Sequence, residues 1–285
     1  MSAEIRVALW HAAPVLAEVE SDLDANTAAL IEAMSVAAEH DVSLFITPEL
    51  ALTGYQFADA IGLEWMRRGR DRWVGRIQQA ADDFNLGLVL GHVEWAAAGH
   101  RYNTAYVFSP EGKLLGKHRK INTIPGAEDW STASREPPAL VSLDGVRLGV
   151  LLCADAWNPR HAQSLADRGV ELIVSPANWW PGEYGPGDTW EDRVAETGVP
   201  MLVNNRTGKE RALDMSQAQS VFVVPNRGES ETLLVHQSRE NRLLLLDIEV
   251  FERRLLGFET VALPPNTVYQ SAERKGRLQV LTEHP

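Results

Sequence analysis

The chain has 285 residues, 45% of them hydrophobic and 23% charged, which is enough to bury a core without disulfide stapling and excludes a mainly disordered or fibrous chain. With 27 lysines and arginines against 39 aspartates and glutamates, the formal net charge is −12, so neither nucleic acid nor an anionic membrane is expected as a partner. The single cysteine, Cys153, forbids an intrachain disulfide and a cysteine-rich zinc site.

No apolar run approaches the roughly 18–20 residues of a membrane-spanning helix, and MSAEIRVALWH does not read as a secretion signal. The expected compartment is the cytoplasm. No repeat, low-complexity tract or long linker interrupts the sequence, so it reads as one domain over 1–261 followed by a tail over 262–285.

IRVALW at 5–10 reads as a buried strand, and Asp22 to Glu39 carries helical spacing in Leu23, Leu30, Ala33, Met34 and Ala37. SLFIT is a second buried strand, and a helix is expected over 63–84, from Leu63 through Met66, Trp73, Ile77 and Ala80. LGLVLGHVEW, YNTAYVFS and KLLGKH follow as strands, the last two joined through Pro110-Glu111-Gly112. Ala139–Leu143 and Val146–Leu152 flank Asp144-Gly145, a strong hairpin signal.

A helix over 159–168, the strand VELIVSP, a Trp/Gly/Pro-rich loop and another helix lead to MLVNN, SVFVVP, ETLLVHQ and RLLLLDIE. Crossovers mixed with hairpins predict an α/β fold with helices outside a sheet core of parallel and antiparallel pairs. Residues 251–285 read as an irregular arm.

Three polar residues fall at strand ends, where sites in such folds gather. Glu49 follows SLFIT and Pro48; alone, it is as readily a solvated acid. Lys120 closes the basic run GKHRK, which taken alone reads as a wetted turn. Cys153 ends VRLGVLLC before a polar turn and a helix. A lone thiol is commonly a core residue, but a strand-to-helix elbow exposes it, and nearby N–H groups lower its pKa and stabilise an oxyanion.

Taken together, SLFITPELALTGY with Glu49, RYNTAYVFSPEGKLLGKHRKIN with Lys120, GAEDW with Glu128 and GVRLGVLLCADAWNP with Cys153 resemble the nitrilase superfamily of carbon–nitrogen hydrolases. The resemblance also takes in the Asn26-bearing helix and runs from about residue 5 to about 250. It implies a four-layer α-β-β-α sandwich. It further implies Cys153 as nucleophile, Glu49 as general base, Lys120 with the backbone N–H of Ala154 facing the oxyanion, and a second glutamate near Lys120. Glu128 and Asp129 compete for that last place, and Glu128 is preferred on side-chain type and spacing. No cofactor or metal is implied.

Ala154 and Asp155 after the nucleophile resemble the amidase branches rather than true nitrilases. Ala156 and Trp157 stand where carbamoylase-type members carry carboxylate-binding arginines, which disfavours a carboxylate held from there, although Arg160 or Arg206 offers a substitute. Substrate contacts are expected from Tyr55, Ala154, Asn178, Trp179, Trp180 and Glu183; with Asp188, the last would attract an amine. The leading reading is a cysteine-dependent amidase acting on a small carboxamide and releasing ammonia. N-carbamoyl-amine hydrolysis, nitrile hydrolysis and a catalytically silent interaction protein are the alternatives. The resemblance also implies a homodimer or larger homo-oligomer, with the tail crossing to a neighbour.

Overall fold

The computed structural model describes residues 4–67 and 71–263. The chain forms β1 (Glu4–His11), α1 (Glu20–Glu39), β2 (Leu44–Ile46), α2 (Phe57–Ala60), α3 (Arg72–Asp83), β3 (Gly87–Trp95), β4 (Arg101–Phe108) and β5 (Leu114–Arg119). There follow β6 (Leu140–Leu143), β7 (Val146–Val150), α4 (Pro159–Asp167), β8 (Leu172–Ala177), α5 (Thr189–Thr197) and β9 (Met201–Asn205). A small pair, β10 (Lys209–Glu210) and β11 (Leu213–Asp214), precedes β12 (Ser220–Asn226), β13 (Glu229–His236), β14 (Arg242–Glu249) and β15 (Arg254–Ala262).

These strands build a seven-stranded sheet, ordered β15-β14-β1-β2-β3-β4-β5, and a six-stranded sheet, ordered β13-β12-β9-β8-β7-β6. Each has a parallel centre, β1-β2-β3 and β7-β8-β9, flanked by antiparallel strands. Side chains alternate across a strand, and here both faces are buried, which is why the strands read as continuous apolar runs. Val7 and Leu9 of β1 join Leu44 and Ile46 in a core shared with Leu148, Val174 and Phe222 of the second sheet. Ala8 and Trp10 face the other way, toward Leu30 and Met34 of α1 and Ile77 of α3. On the far side, Ile173 and Val203 pack with Leu165 of α4 and with Trp190 and Val194 of α5. The result is the expected α-β-β-α sandwich.

Two expectations are corrected. The helix over 63–84 is broken: Glu64–Arg67 is a 3-10 turn, and α3 begins only at Arg72. Asp71 caps it, its Oδ1 accepting from the N–H groups of Trp73 at 3.1 Å and Val74 at 3.0 Å, which satisfies donors that an unbroken helix would bond internally. The arm over 251–285 is regular over its first part, since β15 pairs antiparallel with β14 at the sheet edge. Of the tail, residues 264–285 lie outside the described residues.

The two sheets are also joined by a polar contact. His11, at the end of β1 and fully buried, lies 2.9 Å from Ser220 Oγ on β12 through its Nδ1. Burial, reinforced by His236, lowers the His11 pKa to about 4. Neutral His11 therefore contributes stability that is fully present above the ordinary histidine pKa of about 6.5 and declines as pH falls toward 4. The denaturation midpoint should drop across that window, with an upper bound of about 3 kcal/mol from this one group. An unchanged pH dependence in His11→Asn would show that another group is responsible.

Candidate active site

The carboxyl ends of the parallel strands lie along one edge of the sandwich, and the polar residues singled out above fall there. Glu49 comes three residues after β2, Cys153 three after β7 and Asn178 directly after β8, while Lys120 directly follows β5. Within β5, alternation divides the basic run between two faces. Lys117 and Arg119 pair with Glu94 on one face, whereas His118 and Lys120 turn inward to Asp155 and to the glutamates. The wetted-turn reading of GKHRK does not hold for Lys120, which is fully buried.

Lys120 Nζ donates at 2.7 Å to Glu49 Oε1 and at 2.7 Å to Glu128 Oε1. Asn103 Nδ2, from β4, donates to the same two oxygens at 2.8 and 2.9 Å. The remaining oxygens are also held: Glu49 Oε2 accepts from the Asn178 N–H at 3.0 Å, and Glu128 Oε2 from the Ile124 N–H at 2.8 Å. Burial would push Lys120 down, but Glu49 and Glu128 hold it well above the usual lysine range. Burial raises Glu49 against the pull of Lys120, with Glu128 adding to the rise.

The loop bearing Glu49 is braced from several sides. Asn26 Nδ2 donates to the carbonyls of Val15 and Leu52, each at 2.8 Å, and Asn178 Nδ2 donates to Glu49 O at 2.7 Å. The loop lies directly on β3 at Gly91, where a Cβ would stand 2.5 Å from Pro48 O and 2.8 Å from Glu49 Cα. Only glycine permits that approach.

Cys153 begins a 3-10 turn, Cys153–Trp157, with φ of 49°, a left-handed conformation that non-glycine residues keep only when their surroundings enforce it. Asp155 supplies much of that enforcement. It is fully buried, and it accepts from the N–H groups of Leu152, Ile121 and Asn122 and lies 2.7 Å from His118 Nε2. It thus ties the cysteine elbow to the segment carrying Lys120. Burial, with Glu49 next in weight, pushes the Cys153 thiol well up, while Lys120 and the Asn178 N–H oppose it. The expectation of a thiol pKa lowered by backbone N–H groups is corrected in its net direction: the Asn178 N–H does lower it, but burial and Glu49 outweigh that effect.

A cavity of about 560 Å³ opens beside this cluster, lined by Tyr55, Gln56, Ala58, Asp59, Leu63, Gly126, Ala127, Asp129, Trp130, Trp180 and Leu213. Tyr55 joins the two, because its phenol both lines the cavity and feels the charges of Lys120, Glu128 and Glu49. Of the expected contact residues, Tyr55 and Trp180 are on this wall, and Ala154 and Asn178 are buried at the cluster. Trp179 and Glu183 are not on the wall. Trp179 is buried edge-on between Trp157 and Trp190, its Nε1 donating to Tyr184 O at 3.0 Å, and Glu183 is exposed.

Arg206 is buried and pairs with Glu210, whose carboxylate also takes the Tyr55 and Gln56 N–H groups; Arg160 is exposed. Asn103, Asp155, Gln56 and Asp59 were missed as site residues. Asn103 and Asp155 stood within the quoted motifs, but only chain folding shows what they meet. Among the described residues, no group of histidine, cysteine, aspartate and glutamate is arranged to hold a metal, and no helix is long and apolar enough to cross a membrane.

Residues 6–228 match the profile of the carbon-nitrogen hydrolase family. The chain belongs to that family, within the nitrilase superfamily, and is a carbon–nitrogen hydrolase. A Pseudomonas protegens protein described as "Hydrolase in pqqF 5'region" is 30% identical over 216 residues, covering 73% of this chain and 72% of that protein. Omega-amidase NIT2 of Bos taurus is 30% identical over 191 residues, covering 61% of this chain and 66% of its own length. A mutant of the amidase from Nesterenkonia sp. AN1, showing covalent addition of the acetamide moiety of fluoroacetamide at the active site cysteine, superposes with a TM-score of 0.74 at 26% identity. That match covers 86% of this chain and 90% of the amidase chain.

Gly91→Ala should push the Glu49 loop outward. Such overpacking typically costs about 1–3 kcal/mol, readable by chemical denaturation, while hydrolytic turnover should fall more than tenfold, as about a 1 Å misplacement does elsewhere. A folded variant with full turnover would show that the close approach does not position Glu49.

Proposed function

We propose that the protein hydrolyses the C–N bond of a small carboxamide through a thioester on Cys153, releasing ammonia. The observation that carries this reading is the buried Glu49–Lys120–Glu128 cluster, whose charges also act on the thiol of the buried Cys153. The cysteine adduct in the amidase from Nesterenkonia sp. AN1 supports the thiol as nucleophile.

In this mechanism Cys153 Sγ attacks the carbonyl carbon while its proton passes to Glu49. Oε2 is the better acceptor, because Oε1 already takes bonds from Lys120 and Asn103, whereas Oε2 takes one from Asn178. Lys120 and the Ala154 N–H stabilise the oxyanion; one such donor is commonly worth about 3 kcal/mol. Glu49 then protonates the nitrogen, the C–N bond breaks, and ammonia leaves an acyl thioester. Water attacks that carbonyl carbon, giving its proton to Glu49, which returns one to Sγ as the carboxylic acid departs. Glu128 and Asn103 position Lys120 and Glu49 and take no proton.

Cys153→Ala should fold and show no turnover, and Glu49→Gln should lose about 100- to 10,000-fold in kcat. Activity requires ionised Glu49, so kcat/KM should rise with pH through a limb above the ordinary carboxylate range, as burial dictates. A panel of carboxamides, N-carbamoyl amines and nitriles should show turnover of the carboxamides first. Surviving activity in Cys153→Ala would overturn the mechanism, and preferential cleavage of another class would overturn the substrate assignment.

The family resemblance also supports a homodimer or larger homo-oligomer. Light scattering should give at least twice the chain mass for the full chain and a smaller assembly once residues 262–285 are deleted. A full-length monomer would refute it.

A further inference from the structure

The bonds made by Asp155 reach both donors ascribed to the oxyanion. Its Oδ1 accepts from the Ile121 and Asn122 N–H groups at 3.0 and 2.7 Å. Its Oδ2 accepts from the Leu152 N–H at 3.2 Å and from His118 Nε2 at 2.7 Å. A carboxylate offers about four acceptor sites, so this one is filled. Of the four donors, three are backbone groups and one, His118, is a side chain. An ionised carboxylate only accepts, which makes Nε2 the protonated nitrogen of that ring.

Leu152 and Asp155 bracket the peptide that carries the Ala154 N–H, in a turn where Cys153 has φ of 49°. The carboxylate therefore closes a ring around that N–H and ties it to residues 118–122, the stretch that also carries Lys120. Asn122 Nδ2 adds a bond to Ala154 O at 3.1 Å. Lys120 is fixed in turn through its backbone, donating to Asn103 O at 2.8 Å and accepting from the Ser134 N–H at 2.9 Å.

Without His118, Oδ2 would keep only the longest of the four bonds, and a buried carboxylate short of a donor relieves the deficit by turning or by taking a proton. Burial works to raise the Asp155 pKa, and the hydrogen bond and charge of His118 are the largest influences that hold it below the ordinary range. His118 is itself only 2% exposed, so water does not replace it.

We propose that His118 is a positioning residue of the oxyanion site: through Asp155 it fixes the Ala154 N–H relative to Lys120, so that both donors meet one oxygen. This rests on the reading of the site as an amidase and deepens it. His118 touches no reacting atom and takes no proton in the cycle.

Glutamine and asparagine at position 118 isolate the hydrogen bond. The amide nitrogen of glutamine has the reach of histidine Nε2, and that of asparagine stops short of it. In His118→Asn the kcat for a carboxamide should fall about 10- to 100-fold, as a slightly misplaced group does elsewhere. KM should stay near its original value, and His118→Gln should restore most of kcat. Alkylation by 2-iodoethanol serves as the control: the Cys153 Sγ–C bond forms, iodide leaves, the thiol proton passes to Glu49 and no oxyanion develops. Its rate should be alike in both variants and in the unaltered protein.

Butyraldehyde gives a readout independent of hydrolysis. Cys153 Sγ adds to the carbonyl carbon and the thiol proton ends on the carbonyl oxygen, forming a thiohemiacetal whose oxygen lies at the oxyanion site. Its dissociation constant should rise about tenfold in His118→Asn, less than loss of a whole donor would cause, and little in His118→Gln. In the unaltered protein, nitrogen NMR should show His118 Nε2 protonated and its hydrogen slow to exchange, a result that requires no variant to fold. An unprotonated Nε2, equal losses in the two variants, full turnover in His118→Asn or a parallel loss of alkylation would overturn the inference. The expected order of aldehyde affinities without any carboxamide turnover by the intact protein would leave it standing and overturn the amidase reading.

Discussion

The site depends on an ammonium buried between two carboxylates. Lys120 is fully enclosed, and transferring such an ion from water costs several kcal/mol even after the protein relaxes around it. Glu49 and Glu128 offset that cost at hydrogen-bonding distance and hold Lys120 protonated against the effect of burial. The compensation is mutual, because each glutamate would otherwise be a stranded buried charge. Asn103 donates to both carboxylates alongside Lys120, so the geometry rests on two bridging donors. Burial first, and then the charge of Glu49, pushes the neighbouring Cys153 thiol up, with Lys120 opposing.

Much of the architecture serves to keep these groups together. The glutamates and the lysine follow strands of one sheet and the cysteine a strand of the other, so the cluster spans the sandwich. Asp155 links the two halves, joining the cysteine elbow to His118 and to the chain after β5. Left-handed backbone at Leu50 and Cys153 shows that the turns at Glu49 and Cys153 are held by their surroundings. Elsewhere the Arg206–Glu210 pair fixes the N–H groups of Tyr55 and Gln56 and with them one wall of the cavity. Arg206 is thereby committed to structure.

Legibility in the sequence followed the range of the interactions. The β1 strand, the Asp144-Gly145 turn and the helix after Pro159 arise from local periodicity and turn chemistry, and their positions could be read directly. The start of α3 was misplaced because apolar spacing ran on through Leu63 and Met66, whereas Asp71 sets the helix boundary through its cap. The first part of the supposed arm was misread because pairing with β14, a non-local event, makes it a strand. In the tryptophan-rich loop, composition pointed equally to Trp179 and Trp180. Packing against Trp157 and Trp190 takes the first into the core and leaves the second on the cavity.

By itself the sequence determined the alternating order of strands and helices and the α/β class, because these are carried by short-range pattern, and it placed Glu49, Lys120 and Cys153 in motifs that resemble those of the family. It also determined that GAEDW offered two acids. Only the tertiary structure decided between their positions, burying Glu128 against Lys120 and leaving Asp129 exposed at the cavity. It alone decided the thiol's protonation, since a pKa depends on burial and on charges that lie far away along the chain. The charge of the cavity wall was likewise beyond the sequence: a net charge of −12 does not say which carboxylates line the cavity. That follows from where α2 and the turn before Trp130 meet in space.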